Sequence, residues 1–202
     1  YILQLLFRSD ASTKFAPENY WGFFPSAQVG WVVSNEKWFK EAVPVIDNLK
    51  LRYSIGKTGK DNISPWRWEQ YYDLIVDKGF QFGPGTATSG GGFNGNGLTP
   101  RVNPNRNVTW DTTIKNNVGV DINLLKNRLN FTYDFYYDKN TDMLTDMSSA
   151  VGVPISVGGA YAEQNYGQID AWGHEFSINA IAVNTSSFRW NINANISFNR
   201  NE

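Results

Sequence analysis

Trp110 to Leu124 reads WDTTIKNNVGVDINL, and its alternation decides the fold class. Even positions carry Trp110, Thr112, Ile114, Asn116, Val118, Val120, Ile122 and Leu124, while odd positions carry Asp111, Thr113, Lys115, Asn117, Gly119, Asp121 and Asn123. One side is largely apolar and the other wholly polar or small, the period-two signature of a strand between two different surroundings. After the short turn Leu125 to Arg128, Leu129, Phe131, Tyr133, Phe135 and Tyr137 oppose Asn130, Thr132, Asp134, Tyr136 and Asp138. The two runs make a hairpin.

The same period recurs on either side of this hairpin. Phe188, Trp190, Ile192, Ala194, Ile196 and Phe198 alternate with Arg189, Asn191, Asn193, Asn195, Ser197 and Asn199. Trp21 to Val33 alternates too, although Phe24 and Val32 interrupt its polar side, and Leu49, Leu51, Tyr53 and Ile55 oppose Lys50, Arg52, Ser54 and Gly56. Tyr1 to Phe7 and Tyr166 to Ala182 are weaker runs, the latter with Gln168 and His174 on its apolar side. Seven strands are therefore expected, joined by connections that alternate in length. Ser9–Tyr20, Thr58–Thr109 and Thr141–Asn165 are long, whereas Leu125–Arg128 and Val183–Ser187 are tight and Asn35–Asn48 is intermediate. Long connections at one end and short ones at the other are the arrangement of an outer-membrane barrel, long outside and short in the periplasm. On that reading Gly91 lies outside the cell and Asn127 in the periplasm.

Composition supports the membrane assignment and narrows the alternatives. Aromatic residues make up 15% of the 202 residues, yet hydrophobic residues total only 41%, and the mean hydropathy is -0.42. No apolar run approaches the roughly 18 residues of a transmembrane helix. A barrel needs none, because only every second residue faces lipid. Trp21, Trp110, Tyr137 and Trp172 fall toward the long-loop end of the apolar faces, and Trp31 and Trp190 toward the short-turn end. These are two expected interfacial girdles. The fold class is accordingly all-β, a fragment of a large antiparallel transmembrane β-barrel. A soluble β-sandwich is the competing architecture, but its core rarely repeats so many large rings. Seven strands would also leave open edges, which cannot face lipid. Further strands are expected outside this chain.

Charge and motifs point away from several functions. A net charge of -1, from 18 Lys and Arg against 19 Asp and Glu, offers no basic field for nucleic acid. Cysteine is absent and His174 is the one histidine, with no nucleophile-elbow pattern to accompany it. Asp138, Asn140 and Asp142 have the spacing of the first calcium-loop ligands, but Met143 stands where glycine is needed and Ser149 where glutamate is, so a solvated loop base is expected. Glu163 and Glu175 read as lumen charges rather than a glycosidase dyad. Ser89 to Gly97, SGGGFNGNG, lacks the lysine and hydroxyl of a phosphate loop and reads as flexible external loop. No catalytic residue, metal or cofactor is implied. PWRWEQYYDL, Pro65 to Leu74, is different, because Trp66, Trp68, Tyr71 and Tyr72 bring four amphipathic rings into an external loop. Such rings stack on sugars or peptide side chains while offering a polar handle, and packing against neighbouring loops is the competing account.

Four blocks resemble one family. NLKLRYSIGKTGKDNI, Asn48 to Ile63, resembles the strand and glycine-rich turn of SusC/RagA-type TonB-dependent outer-membrane transporters, with Asp61 delaying the usual asparagine. Phe7 to Phe39 is similar to the preceding hairpin, Asn107 to Leu144 to a barrel hairpin, and Gly167 to Ala180 to a strand in which His174 replaces an aliphatic residue. The resemblance implies that residues 1–202 are part of one TonB-dependent receptor barrel domain in the bacterial outer membrane, the plug and remaining strands lying elsewhere. It also implies import of an oligosaccharide or peptide, contact with TonB through the plug, and a SusD-like surface lipoprotein as partner. A soluble aromatic-rich carbohydrate-binding β-domain and a siderophore receptor of the same architecture are the alternatives.

Overall fold

A computed structural model describes residues 1–75, 81–82, 93–94, 97–100, 103–145 and 163–202. Eleven strands occur among them: β1 (Ile2–Ala11), β2 (Trp21–Val32), β3 (Ile46–Lys60), β4 (Tyr72–Ile75), β5 (Gln81–Phe82), β6 (Phe93–Asn94), β7 (Gly97–Pro100), β8 (Asp111–Leu124), β9 (Leu129–Thr145), β10 (Gln164–Asn184) and β11 (Arg189–Asn201). One antiparallel sheet runs β1-β2-β3-β8-β9-β10-β11, while β4 pairs with β7 and β5 with β6 inside the long connection. The seven wall strands are the seven alternating runs. One short helix, α1 (Lys37–Ala42), lies in the connection from β2 to β3, where the alternation gave only an irregular link.

Register carries the two-faced pattern across the whole wall. Leu3, Val29, Tyr53, Val118, Phe135, His174 and Phe198 are successive cross-strand partners and form one row. The next row, on the opposite face, is Gln4, Gln28, Ser54, Asn117, Tyr136, Gly173 and Asn199. A recess of about 950 Å³ opens on this polar side, so it is the concave, lumenal surface. The apolar rows form the convex side. At roughly 3.3 Å per residue and a tilt of about 40°, Ile114 to Leu124 covers about 25 Å along the bilayer normal. That matches the apolar band of an outer-membrane barrel.

Neither membrane face forms the buried core. Phe15, Ile63 and Val108 pack together with Tyr20, Trp110 and Leu144 above the strands, at the long-loop rim. Trp110 belongs to this cluster and meets Phe24 edge-on at 5.4 Å and Phe15 at 5.3 Å. Its assignment to the lipid girdle is therefore corrected: it precedes β8, and burying its ring against Phe24 and Phe15 outweighs the parity of the strand that follows. Phe24 interrupts the polar face for the same reason. A Cβ at Gly59 would stand only 2.2 Å from the Phe24 ring, so that ring requires a glycine beneath it.

The wall strands also outrun their alternating segments. β3 continues to Lys60 and β9 to Thr145, so Asp138, Asn140 and Asp142 sit in a strand and not in a solvated loop base. Cross-strand hydrogen bonding to β8 and β10 extends β9 past the lipid zone, and Asp138 pairs with Lys115 at 3.2 Å. Asp142 has a φ of 57°, where β9 and β10 shift register. Gly91 and Ser149 lie outside the described residues. Asn127 is in the tight turn, where Leu125, Lys126 and Asn127 have φ of 55°, 57° and 60°. Left-handed backbone costs about 1–2 kcal/mol for a residue with a Cβ. Neighbouring strands hold the turn in place, since the Asn127 amide donates to Asp47 at 3.0 Å and the Ile181 amide to the Arg128 carbonyl at 2.7 Å.

Candidate functional site: lumenal wall and outer rim

The lumenal wall is organised around Arg52 on β3. Its Nε and Nη2 donate to the two carboxylate oxygens of Asp121 on β8 at 2.8 and 3.0 Å, and Nη2 also reaches Asp134 on β9 at 3.1 Å. Bidentate pairing of this kind suits the planar guanidinium. Glu175 stands directly opposite Asp134 on the next strand and faces the same recess. Two carboxylates opposite one another repel, and Arg52 offsets the charge of only one. Glu163 is elsewhere, at the rim, paired with Arg67 at 3.3 Å. The two glutamates belong to different features of the barrel.

His174 lies on the convex face among aromatic rings. Its Nδ1 is 2.9 Å from the Tyr133 hydroxyl, and its ring is 5.1 Å from that of Phe135. Gln168, another polar residue on that face, lies beside the register shift of β10 and donates to Asp170 at 3.1 Å. Among the described residues no group of three or more His, Cys, Asp or Glu side chains could hold a metal ion.

The outer rim carries the loop aromatics. Trp66 has a φ of 67° and is 50% exposed, while Trp68 is only 8% exposed. Their rings lie 6.1 Å apart, and the Arg106 guanidinium covers Trp68 at 5.4 Å. Arg106 is held in turn by Glu18 at 3.2 Å, and this pairing keeps the Glu18 carboxyl below its ordinary pKa. The Asn105 amide donates to the Arg67 carbonyl at 3.1 Å, tying the segment before β8 to the aromatic turn. Tyr71 and Tyr72 are exposed, and the Tyr71 hydroxyl donates to Glu69 at 3.2 Å. Thus the structure brings Trp66 and Trp68 together, presents Trp66, Tyr71 and Tyr72, and buries Trp68 beneath Arg106. The positive φ of a bulky residue costs about 1–3 kcal/mol and is the kind of local strain found at ligand clamps. Sequence reading missed the Arg52 network and Arg106, because a cation's partners on distant strands leave no local pattern.

Comparison with known proteins fits the two-faced wall. The sequence profile described as TonB-dependent receptor-like β-barrel matches residues 2–202. The chain belongs to the TonB-dependent receptor β-barrel family. It is 32% identical over its whole length to the TonB-dependent receptor SusC of Bacteroides thetaiotaomicron, covering 19% of that protein. It is 31% identical to the TonB-dependent receptor P39 of Formosa agariphila, again over the whole chain and 18% of the relative. Among solved structures, the RagAB peptide importer in its open-open state superposes with a TM-score of 0.79 at 23% identity, covering 99% of this chain and 20% of the other. The closed-closed state gives 0.76. The chain therefore spans about a fifth of the length of the proteins it matches. A TonB-dependent receptor β-barrel, similar to that of SusC, is what its wall strands build, and the soluble β-domain is set aside.

Proposed function

We propose that this chain is the wall and outer rim of an importer that carries oligosaccharide or peptide fragments across the outer membrane. One observation carries the reading: a largely apolar convex face backs a polar, charged concave recess, with the long connections gathered at one rim. A lumen of this chemistry suits a hydrophilic cargo and a removable plug more than catalysis. Energy would come through the plug from TonB, and a SusD-like lipoprotein would cover the rim. The relatives support this, one solved neighbour being described as a peptide importer.

At the rim, Trp66, Tyr71 and Tyr72 capture the cargo by stacking, and Trp68 under Arg106 supports Trp66 from below. Replacing Trp66, Tyr71 and Tyr72 with alanine in the full-length protein is expected to weaken uptake of glycan or peptide mixtures at unchanged surface abundance. Trp68→Ala is expected to act by loosening the loop base. Normal binding and uptake by the triple variant would sink the assignment of these rings. Uptake of an iron chelate in place of both mixtures would instead favour a siderophore receptor.

A further inference from the structure

Arg67 stands between Trp66 and Trp68, and both its backbone and its side chain are held from outside the aromatic turn. Its carbonyl accepts the Asn105 amide at 3.1 Å, and the Asn105 side chain donates in turn to the Glu163 carbonyl at 3.0 Å. Its guanidinium Nε is buried and lies 3.3 Å from Glu163 Oε1, near enough to pair in charge but out of line for a hydrogen bond. The two side chains are only 30% and 20% exposed, so solvent screens this pair less than one in open water. Glu163 therefore reaches the turn twice, directly by its carboxylate and through Asn105 by its carbonyl.

Two residues further on, Asn165 fastens the same segment. Its Oδ1 accepts the Thr109 amide at 2.9 Å, and its Nδ2 donates to the carbonyls of Thr109 at 3.0 Å and Asp142 at 2.7 Å. One side chain thus satisfies both backbone groups of Thr109, as a neighbouring strand would. The register accounts for its reach, because β10 shifts against β9 between Asn165 and Gly167, and a bulge re-aims the side chain beside it. The segment from Asn105 to Thr109 is tied to the third long connection at both ends, and through Asn105 it holds the aromatic turn. Trp66 needs such a hold, since a bulky residue does not keep a φ of 67° without support from its surroundings.

We propose that Glu163 and Asn165 are positioning residues for cargo capture: neither touches the cargo, and together they set where Trp66, Tyr71 and Tyr72 stand. This rests on the capture role given to those rings above. A loop already held in its binding conformation loses less entropy when cargo arrives, so the benefit falls on affinity and not on passage through the barrel.

The test uses the full-length protein, otherwise free of cysteine, with nitroxides at Gln70→Cys in the aromatic turn and Leu125→Cys in the tight turn at the other end. Pulsed electron resonance is expected to give one narrow distance distribution, which Glu163→Ala or Asn165→Ala broadens about twofold or more. Arg67→Ala should broaden it as much as Glu163→Ala, and the two together no further, because they remove one contact. Asn165→Asp keeps the acceptor and the volume while losing both donations, and should act like Asn165→Ala in a barrel whose heat-modifiable gel mobility is normal. In uptake of a casein digest or a dextran hydrolysate, the same variants are expected to raise the half-saturating concentration about threefold or more at an unchanged maximal rate. Widths unaltered by Glu163→Ala and Asn165→Ala would overturn the positioning. So would a double variant of Arg67 and Glu163 broader than either single one, or a lowered maximal rate at unchanged half-saturation. Uptake of neither mixture by the wild-type protein would overturn the importer reading alone, and the distance widths would still decide the positioning.

Discussion

Arg52 and Asp134 are separated by a whole strand, yet the guanidinium Nη2 lies 3.1 Å from the carboxylate. The intervening residue is Gly119, the cross-strand partner of both. A Cβ there would come within 2.6 Å of the Arg52 guanidinium and of Asp134 Oδ1. The missing side chain is what lets one cation bind carboxylates on two strands.

Gly119→Val is therefore expected to push Arg52 off Asp134 and destabilise the barrel by about 1–3 kcal/mol, as overpacking does. In an Arg52→Ala background the same substitution should cost much less, because the contacts it disturbs are already gone. Denaturant midpoints of the full-length protein in detergent would measure both, and equal costs in the two backgrounds would contradict the bridge.

Val120 stands between Leu51 and Tyr133 on the convex face, and Asn117 between Ser54 and Tyr136 on the concave one. Val120→Arg should cost about 2–4 kcal/mol near the bilayer midplane, whereas Asn117→Arg should be far milder. Heat-modifiable gel mobility after refolding distinguishes them. Equal losses would mean the faces are reversed.

His174 and Tyr133 satisfy one another on the lipid-facing side. His174→Leu leaves the Tyr133 hydroxyl without that partner and should cost about 1–3 kcal/mol. Adding Tyr133→Phe should recover most of it. A double variant as unstable as the single would show that the pair is not what holds His174 on an apolar row.

The rim should respond to acid before the wall does. The Ser12 hydroxyl, and then the Lys14 ammonium, hold the Asp61 carboxyl below its ordinary pKa. A depressed folded pKa means the contribution is present above the unfolded value of about 3.9 and is lost as pH falls through the folded one. Protection of residues 12–20 against hydrogen exchange, relative to the intrinsic rate, should therefore be lost as pH falls below about 4, while β8 and β9 stay protected. Unchanged protection of the rim over that interval would rule this out.

The wall was legible because lipid imposes one rule on every strand it touches. Val118 and Phe135 obey it, and so does His174, whose outward position follows from parity although its chemistry does not. Above the bilayer the rule lapses. There Trp110 turns inward to Phe24, and β9 runs on to Thr145 through residues whose pattern suggests a loop. Among the rim aromatics, sequence singled out four equivalent rings, and packing made them unequal by covering Trp68 with Arg106. α1 is a single six-residue helix whose Phe39 is buried, too short for a helical period to stand out.

The buried cluster of Phe15, Ile63 and Val108 lies on the water side of the membrane, whereas the wall beneath it meets lipid tails. The two regions thus answer to different solvents. Apolar burial from water carries a large heat-capacity change and weakens on cooling. Contact between a strand and hydrocarbon carries no comparable drive, because lipid tails are as apolar as the side chains they touch. Chilling should accordingly slacken the mouth of the barrel while its staves stay fixed, so that temperature alone separates the motion of the entrance from the integrity of the wall.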